Sequence, residues 1–206
     1  MSQEGGRDAP HRVVAIGKEE AELIGDIIAD GFHDDPVCTW FLNGTSGIKP
    51  FFTMLTRDTY LPRGFGQRTA DGTGVTLWIP PGESTSIGRW TTLKSVVLAA
   101  RHGGVAALQR GPAIDQQLGP RKPKGAYYYL FAIAVRRQHQ GEGIGHELMV
   151  PTMRRIDEEG ASAYIESSNA KNLSFYRRFG FEVTDEVQLA PDGPSMWTLW
   201  REGLAV

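Results

Sequence analysis

The chain has 206 residues, which is enough for one domain that buries its own core without help from metals or disulfides. Hydrophobic residues make up 40% and charged residues 22%, a composition typical of globular rather than disordered proteins. The 22 lysines and arginines nearly balance 24 acidic residues, which argues against a dedicated nucleic-acid-binding protein. The 25 glycines are about 12% of the residues, against an average of about 7%. They follow no fixed period, so collagen and simple repeats are excluded.

Cysteine and histidine usage bounds the compartment and the metal chemistry. Cys38 is the only cysteine, so the chain has no internal disulfide, and a reducing cytoplasm is favoured. His102, His139 and His146 show no ligand spacing, and we predict no metal. Residues 1–11 are polar and are predicted to form a flexible tail without a signal peptide. No apolar stretch approaches the ~20 residues of a membrane span, so we expect no membrane partner.

The first part of the chain predicts helices followed by a hairpin. Asp35 and Pro36 form a helix start, because aspartate is a good N-cap and proline fits the first helical position. The turn at Asp71-Gly72-Thr73-Gly74 separates two strand-like runs. The predicted elements are a strand at 12–16, helices at 18–32, 36–43 and 48–60, and strands at 64–70 and 75–79.

The second part predicts alternating strands and helices after a helical excursion at 82–124. We predict helices at 87–100 and 105–110, a loop at 111–125, a strand at 127–135, a helix at 143–159 that Pro151 kinks or restarts, a strand at 163–167, a helix at 169–179 and strands at 181–189 and 195–201. This order indicates a single α/β domain over 12–206, built on a mixed sheet with helices on both faces.

A glycine-rich turn lies between the strongest predicted strand and a helix. Its residues are Gln140, Gly141, Glu142, Gly143, Ile144 and Gly145. Glycines allow a tight turn and a close approach to a ligand, and the free N–H groups of a helix start suit a phosphate or pyrophosphate. A plain glycine-rich connection is the alternative. A dinucleotide-binding loop is disfavoured, because His146 stands where its third glycine belongs and residues 136–140 separate the turn from the strand.

Two motifs in this order resemble those of the Gcn5-related N-acetyltransferases (GNAT). The strand end Ala132–Val135, followed by the turn, resembles the acetyl-CoA loop of that family, although Arg137 stands where the family often has proline. Downstream, Asn169-x-x-Asn172-x-x-Phe175-Tyr176-x-x-x-Gly180-Phe181 resembles the second family motif. Asp34-Asp35-Pro36, Trp78-Ile79-Pro80-Pro81 and Met196-Trp197 resemble more narrowly the puromycin N-acetyltransferase-like branch.

The resemblance implies a GNAT-like, largely antiparallel mixed sheet and an activity that transfers an acetyl group from acetyl-CoA to a primary amine of a small molecule by direct attack. Tyr176 would then protonate the departing CoA sulfur. The implied cofactor-binding residues are Ile133, Ala134, Val135, Gln140, Gly141, Glu142, Gly143, Ile144, Gly145, Asn172 and Tyr176. A non-catalytic acyl-CoA-binding sensor and, less favoured, a nicotinamide-dependent oxidoreductase are the alternatives. The oligomeric state, monomer or homodimer, is open.

The general base is less clearly marked. Strand alternation places five residues on one face of the strand at 127–135, and none is Glu or His: Tyr127, Tyr129, Phe131, Ile133 and Val135. Glu166, which ends the next strand, is the best remaining carboxylate, and a structural hydrogen bond is the alternative role. Other candidates are His33, Asp34 and Asp35, and Asp35 could simply cap its helix. Aromatic residues that could line an acceptor pocket, or belong to the core, are Trp40, Phe41, Trp90 and Tyr129.

Overall fold

A central sheet of seven strands organises residues 11–204, which a computed structural model of the chain describes. The strands are β1 (Val13–Ala15), β2 (Phe65–Thr69), β3 (Gly74–Ile79), β4 (Tyr128–Val135), β5 (Ala163–Ser167), β6 (Glu182–Gln188) and β7 (Ser195–Arg201). Their order across the sheet is β1-β2-β3-β4-β5-β7-β6, and every neighbouring pair is antiparallel except β4 and β5. The predicted mixed, largely antiparallel sheet is therefore confirmed. Of the tail predicted at 1–11, all but His11 lies outside the described residues.

Helices cover both faces of this sheet, as predicted. They are α1 (Ala21–Gly31), α2 (Pro36–Phe41), α3 (Ile48–Leu55), α4 (Leu61–Arg63), α5 (Arg89–Leu118), α6 (Ile144–Glu158) and α7 (Leu173–Arg177). Helices α1 and α3 pack on one face of β3 and β4, whereas α6 and α7 pack on the other. No helix within 11–204 is long and apolar enough to cross a membrane.

Strand β4 contains one extra residue at its centre. Leu130 pairs with Trp78 of β3, but Ala132 pairs with Leu77, so Phe131 has no partner of its own in β3. Such a β-bulge disturbs the ladder and re-aims the side chains that follow it.

The bulge reverses the alternation of side chains in the second half of β4. Ala132 and Ala134 pack against the α1 side, and Ile133 packs with the cluster beneath α6. The prediction that Ile133 shares a face with Tyr129 and Phe131 is therefore wrong. A strict period of two assumes an unbroken ladder, and the extra residue breaks it.

Strands β4 and β5 separate soon after they meet. Their parallel pairing is limited to three residue pairs and ends at Leu130 and Ile165. Beyond these residues, the described part of the chain contains no strand that pairs with the β5-facing edge of β4 at residues 131–135. The sheet thus opens into a cleft whose two walls are strand ends.

The excursion at 82–124 differs from its prediction. In place of two short helices and a loop, α5 runs from Arg89 to Leu118 and has a break at Gly104, where φ is 63° and ψ is −154°. The loop predicted at 111–125 is helical as far as Leu118, although Pro112 lies within it. Ile114 and Leu118 pack against α2 and the β6–β7 hairpin, and this packing offsets the proline penalty of about 3 kcal/mol. Helix α6 likewise continues through Pro151 without a restart.

The break in α5 should depend on glycine at position 104. Its backbone lies in a region that is essentially restricted to glycine, so we expect Gly104→Ala to lower the free energy of unfolding by roughly 1–3 kcal/mol. Gly119 has ordinary helical angles and open space around it, and Gly119→Ala should be neutral or stabilise by about 0.4–1 kcal/mol. Urea unfolding of both variants measures the difference; equal effects would contradict this account of the break.

Candidate functional site

The glycine-rich turn before α6 is shaped by two residues with positive φ. Gly141 has φ 90° and Gly143 has φ 89°, values that only glycine adopts at low cost. A Cβ atom added at either position would meet no protein atom within 4 Å. These glycines therefore serve the backbone conformation and leave open space beside the turn.

The same turn presents a run of free backbone donors. Within residues 11–204, the N–H groups of 141–145 have no hydrogen-bond partner, whereas those of His146 and Glu147 donate to the Gly143 carbonyl. Because α6 begins at Ile144, its N-terminal dipole adds to these donors. Several free N–H groups at the start of a 15-residue helix form an arrangement suited to a phosphate or pyrophosphate.

Two side chains of the turn are engaged with the protein. The Gln140 amide donates to the Val135 carbonyl at 3.1 Å, which ties the turn to the end of β4. The Glu142 carboxylate lies 3.2 Å from Nδ1 of His139 on the surface. The turn can therefore offer its backbone to a ligand, and the Gln140 side chain has a structural role that its sequence position did not indicate.

The structure brings the two sequence motifs together at Gly145. A Cβ atom there would lie 3.4 Å from the Phe175 ring of α7 and 3.9 Å from the Ile133 side chain of β4. Asn172 ends the short turn that leads into α7, and it is exposed. The first turn of α6, the separated end of β4 and the start of α7 therefore share one border of the cleft.

Tyr176 lies in α7 with its ring buried between Phe175 and Phe181. Its hydroxyl has no hydrogen-bond partner among the described residues, so the hydroxyl is available to a ligand. Burial and, to a smaller extent, the negative charge of Asp35 raise the pKa of Tyr176 well above its ordinary value. The phenol therefore stays protonated at neutral pH and can act only as a proton donor there.

Asp35 is both a helix cap and a link across the cleft. Its carboxylate accepts hydrogen bonds from the N–H groups of Val37 and Cys38 at the start of α2. It also accepts one from the hydroxyl of Ser168, just beyond β5. Three donors explain its burial, which favours the capping role over that of a base. Asp34, another candidate base, is exposed.

Glu166 lies where β4 and β5 begin to separate, one residue beyond Ile165, which is the last residue of β5 that pairs with β4. It accepts hydrogen bonds from the hydroxyls of Tyr129 at 2.8 Å and Tyr164 at 3.2 Å. No lysine, arginine or histidine within 11–204 forms an ion pair with it. Burial and this carboxylate together raise the pKa of both tyrosines well above the ordinary value. Glu166 is thus a carboxylate held among neutral phenols.

The proposed wall of aromatic residues is not gathered in one place. Trp40 lies under the Arg110 guanidinium, 4.9 Å from it, and Phe41 packs edge-on against Phe51. Trp90 is 78% exposed on the outer side of α5, where it borders a groove of about 730 Å³ between α3 and α5. Only Tyr129 of the four reaches Glu166.

Two tyrosines that lie with Tyr129 around Glu166 were not predicted to belong to the site. Tyr164 bonds Glu166 directly, and Tyr60 packs nearby. Alternation along β5 could have placed Tyr164 on the Glu166 face, whereas nothing in the sequence marks Tyr60. Within the part of the chain that is described, no three His, Cys, Asp or Glu residues are grouped as metal ligands.

Comparison with known proteins gives a family match and related folds. The model of the acetyltransferase (GNAT) family matches residues 84–181. An uncharacterized N-acetyltransferase of Schizosaccharomyces pombe is 26% identical over 179 residues, 80% of this chain and 72% of that protein. Histone acetyltransferase HPA2 and related acetyltransferase from Corynebacterium glutamicum superposes with a TM-score of 0.70 at 18% identity, over 95% of this chain and 98% of that one. Arylalkylamine N-acetyltransferase 2 from Aedes aegypti gives 0.60 at 12% identity, over 94% and 99%.

At these low identities the solved structures show the fold alone, and that fold is the GNAT-like fold. The family match covers the glycine-rich turn, Glu166 and Tyr176. The chain is therefore similar to the GNAT acetyltransferases over residues 84–181, a little under half of its length, and it shares their fold.

Proposed function

We propose that this protein transfers an acetyl group from acetyl-CoA to a primary amine of a small molecule. The observation that supports this most is the run of free N–H groups at 141–145 beside the unpaired edge of β4. A ligand that combines a pyrophosphate with an extended, amide-containing arm fits both features, because the first suits the helix start and the second can add to a strand edge.

The binding residues follow from this placement. The N–H groups of the turn would hold the pyrophosphate, and the backbone of Ile133 and Val135 would pair with the pantetheine arm. Asn172, exposed before α7, would reach the same arm. The side chains of Gln140 and Glu142 would keep their contacts with the protein, while the backbone N–H of Glu142 would contribute to the ligand site.

Acetyl transfer requires three contributions from the protein. When bound, acetyl-CoA supplies the electrophilic thioester carbonyl. A backbone N–H of β4 beyond Leu130 would stabilise the negative charge that develops on the carbonyl oxygen. Tyr176 would donate its proton to the leaving sulfur, and Glu166 would accept the proton that the amine loses.

The acceptor and the cellular compartment are proposed from the sequence. The motifs that resemble the puromycin N-acetyltransferase-like branch support a small amine as the acceptor. The single cysteine favours the cytoplasm, as the composition already indicates.

Binding of acetyl-CoA should depend on the left-handed conformation at Gly143. An alanine there is strained by roughly 1–3 kcal/mol, and the exposed turn relieves that strain by leaving the binding conformation. We expect Gly143→Ala to weaken acetyl-CoA binding about tenfold or more by calorimetry. Gly125→Ala is the matched control. Gly125 also has a positive φ and open space around it, but it precedes β4, whereas the turn follows the other end of that strand. Equal losses in the two variants would exclude a specific role of the turn.

Removal of the Tyr176 hydroxyl should slow the chemical step. We expect Tyr176→Phe to lower kcat roughly 10²- to 10⁴-fold, because general acid catalysis contributes about that much, with little change in the KM of acetyl-CoA. Because the pKa of Tyr176 is raised, the wild-type rate should show no alkaline loss from this group up to about pH 10. Release of the CoA thiol, followed from pH 6 to 10, measures the kcat of the variant and the pH profile of the wild type. An unchanged kcat in Tyr176→Phe would exclude Tyr176 as the general acid.

The Glu166 carboxylate should be needed for the chemical step. A carboxylate can accept the proton that the amine loses, whereas the amide of glutamine cannot. In Glu166→Gln we expect kcat to fall roughly 10²-fold or more, with little change in the KM of acetyl-CoA. Thiol release measures both, and an unchanged kcat in this variant would show that another group is the base.

A further inference from the structure

Two backbone irregularities meet at the Glu166 cluster. One is the β-bulge at Phe131, and the other is a π-helical turn, Thr56–Tyr60, inserted between α3 and α4. Helical turns of this kind and β-bulges both concentrate at functional sites, where they re-aim a side chain. Here each irregularity delivers one ring to the same contact.

That contact is a close stack between Tyr60 and Phe131. Their ring centroids lie 3.5 Å apart and their planes differ by 11°. Phe131 also touches the ring of Tyr129, whose hydroxyl donates to Glu166. Tyr60, Phe131, Tyr129 and Glu166 therefore form one continuous surface beside the opening of the sheet.

The hydroxyl of Tyr60 is left open to a ligand. The residue is only 4% exposed, and its hydroxyl has no hydrogen-bond partner within residues 11–204. The hydroxyl oxygen is not among the fully buried polar atoms that lack a partner, so it stays in contact with solvent while its ring is buried. Burial and the Glu166 charge raise the pKa of Tyr60 well above its ordinary value, so it remains neutral and can both donate and accept.

We propose that Tyr60 is a positioning residue for the acceptor amine, which it holds beside Glu166 through its hydroxyl while Phe131 fixes its ring. This rests on the proposed acetyl transfer at the same site. The amine has one N–H to give to Glu166 as its proton leaves, and a second N–H that the Tyr60 oxygen can accept. Both contacts turn the nitrogen lone pair toward the cleft between β4 and β5.

The test removes the hydroxyl and keeps the ring. Tyr60→Phe preserves the stack on Phe131, so we expect wild-type thermal stability and an unchanged KM for acetyl-CoA. The KM of the amine should rise roughly three- to tenfold, the value of one neutral hydrogen bond, with kcat changed less than twofold. Tyramine, agmatine and butylamine serve as the acceptor amines, and the release of the CoA thiol measures the reaction rate.

Tyr128→Phe is the matched control. Tyr128 is also a buried tyrosine of the sheet, but its hydroxyl donates to Glu159 on the opposite face. Loss of that hydroxyl should leave the KM of the amine unchanged. An equal rise in the KM of the amine in both variants would mean that the loss of any buried tyrosine hydroxyl affects KM through the stability of the protein. That result overturns the proposal.

Direct binding separates this proposal from the proposed function. The same amines are titrated calorimetrically into protein saturated with CoA, where no transfer occurs. A weaker Kd in Tyr60→Phe supports the positioning role even if the wild type transfers no acetyl group, in which case only the transferase proposal fails. Transfer by the wild type with equal KM and Kd in Tyr60→Phe overturns the role of Tyr60 alone. Absence of both binding and transfer in the wild type overturns both.

Discussion

The early end of the pairing between β4 and β5 is the constraint on which the site depends. Three residue pairs join the two strands, and after Leu130 and Ile165 they diverge. Every group with a proposed chemical role borders this opening: the free edge of β4, Glu166 just beyond the last pair, and Tyr176 in the helix that follows β5. A continuous parallel ladder would satisfy the β4 backbone internally and leave no edge for an extended ligand.

Hydrogen bonds to elements outside the sheet anchor both walls of the opening. The Asp35 carboxylate joins the start of α2 to Ser168 beyond β5, while Gln140 holds the glycine-rich turn to the end of β4. Each wall of the opening is thus anchored to a different helix. The kinked α5 extends this arrangement, because its second half packs through Ile114 and Leu118 on α2 and the β6–β7 hairpin. The second half of the excursion therefore lies against α2 and the β6–β7 hairpin as a helix, where a loop was predicted.

The parts of the fold that sequence could predict are those with local signals. The hairpin around Asp71–Gly74, the cap at Asp35 and the turn with Gly141 and Gly143 all follow from residue types at fixed spacing. The helical continuation through Pro112 could not be predicted, because it depends on contacts with distant strands. The bulge at Phe131 likewise has no local signature: it appears only when β3 supplies the register, and it was enough to put Ile133 on the opposite face.

The surroundings of Glu166 combine a charge with neutral donors. Glu166 is a partly buried carboxylate that forms no ion pair in the described chain, and two phenol hydroxyls are its hydrogen-bond donors. The ammonium of Lys122 lies over the Tyr129 ring, 5.4 Å from its centroid. Partly buried charges are normally paired, so a cationic or hydrogen-bonding ligand would stabilise this carboxylate further. Asp35 differs, because two backbone N–H groups and a serine already engage its oxygens. Of the two carboxylates at the opening, Glu166 is thus the one whose donors are all side-chain hydroxyls. The bulge and the π-helical turn place two stacked aromatic rings in the cluster around Glu166, and the Tyr60 hydroxyl on one of them has no partner among the described residues.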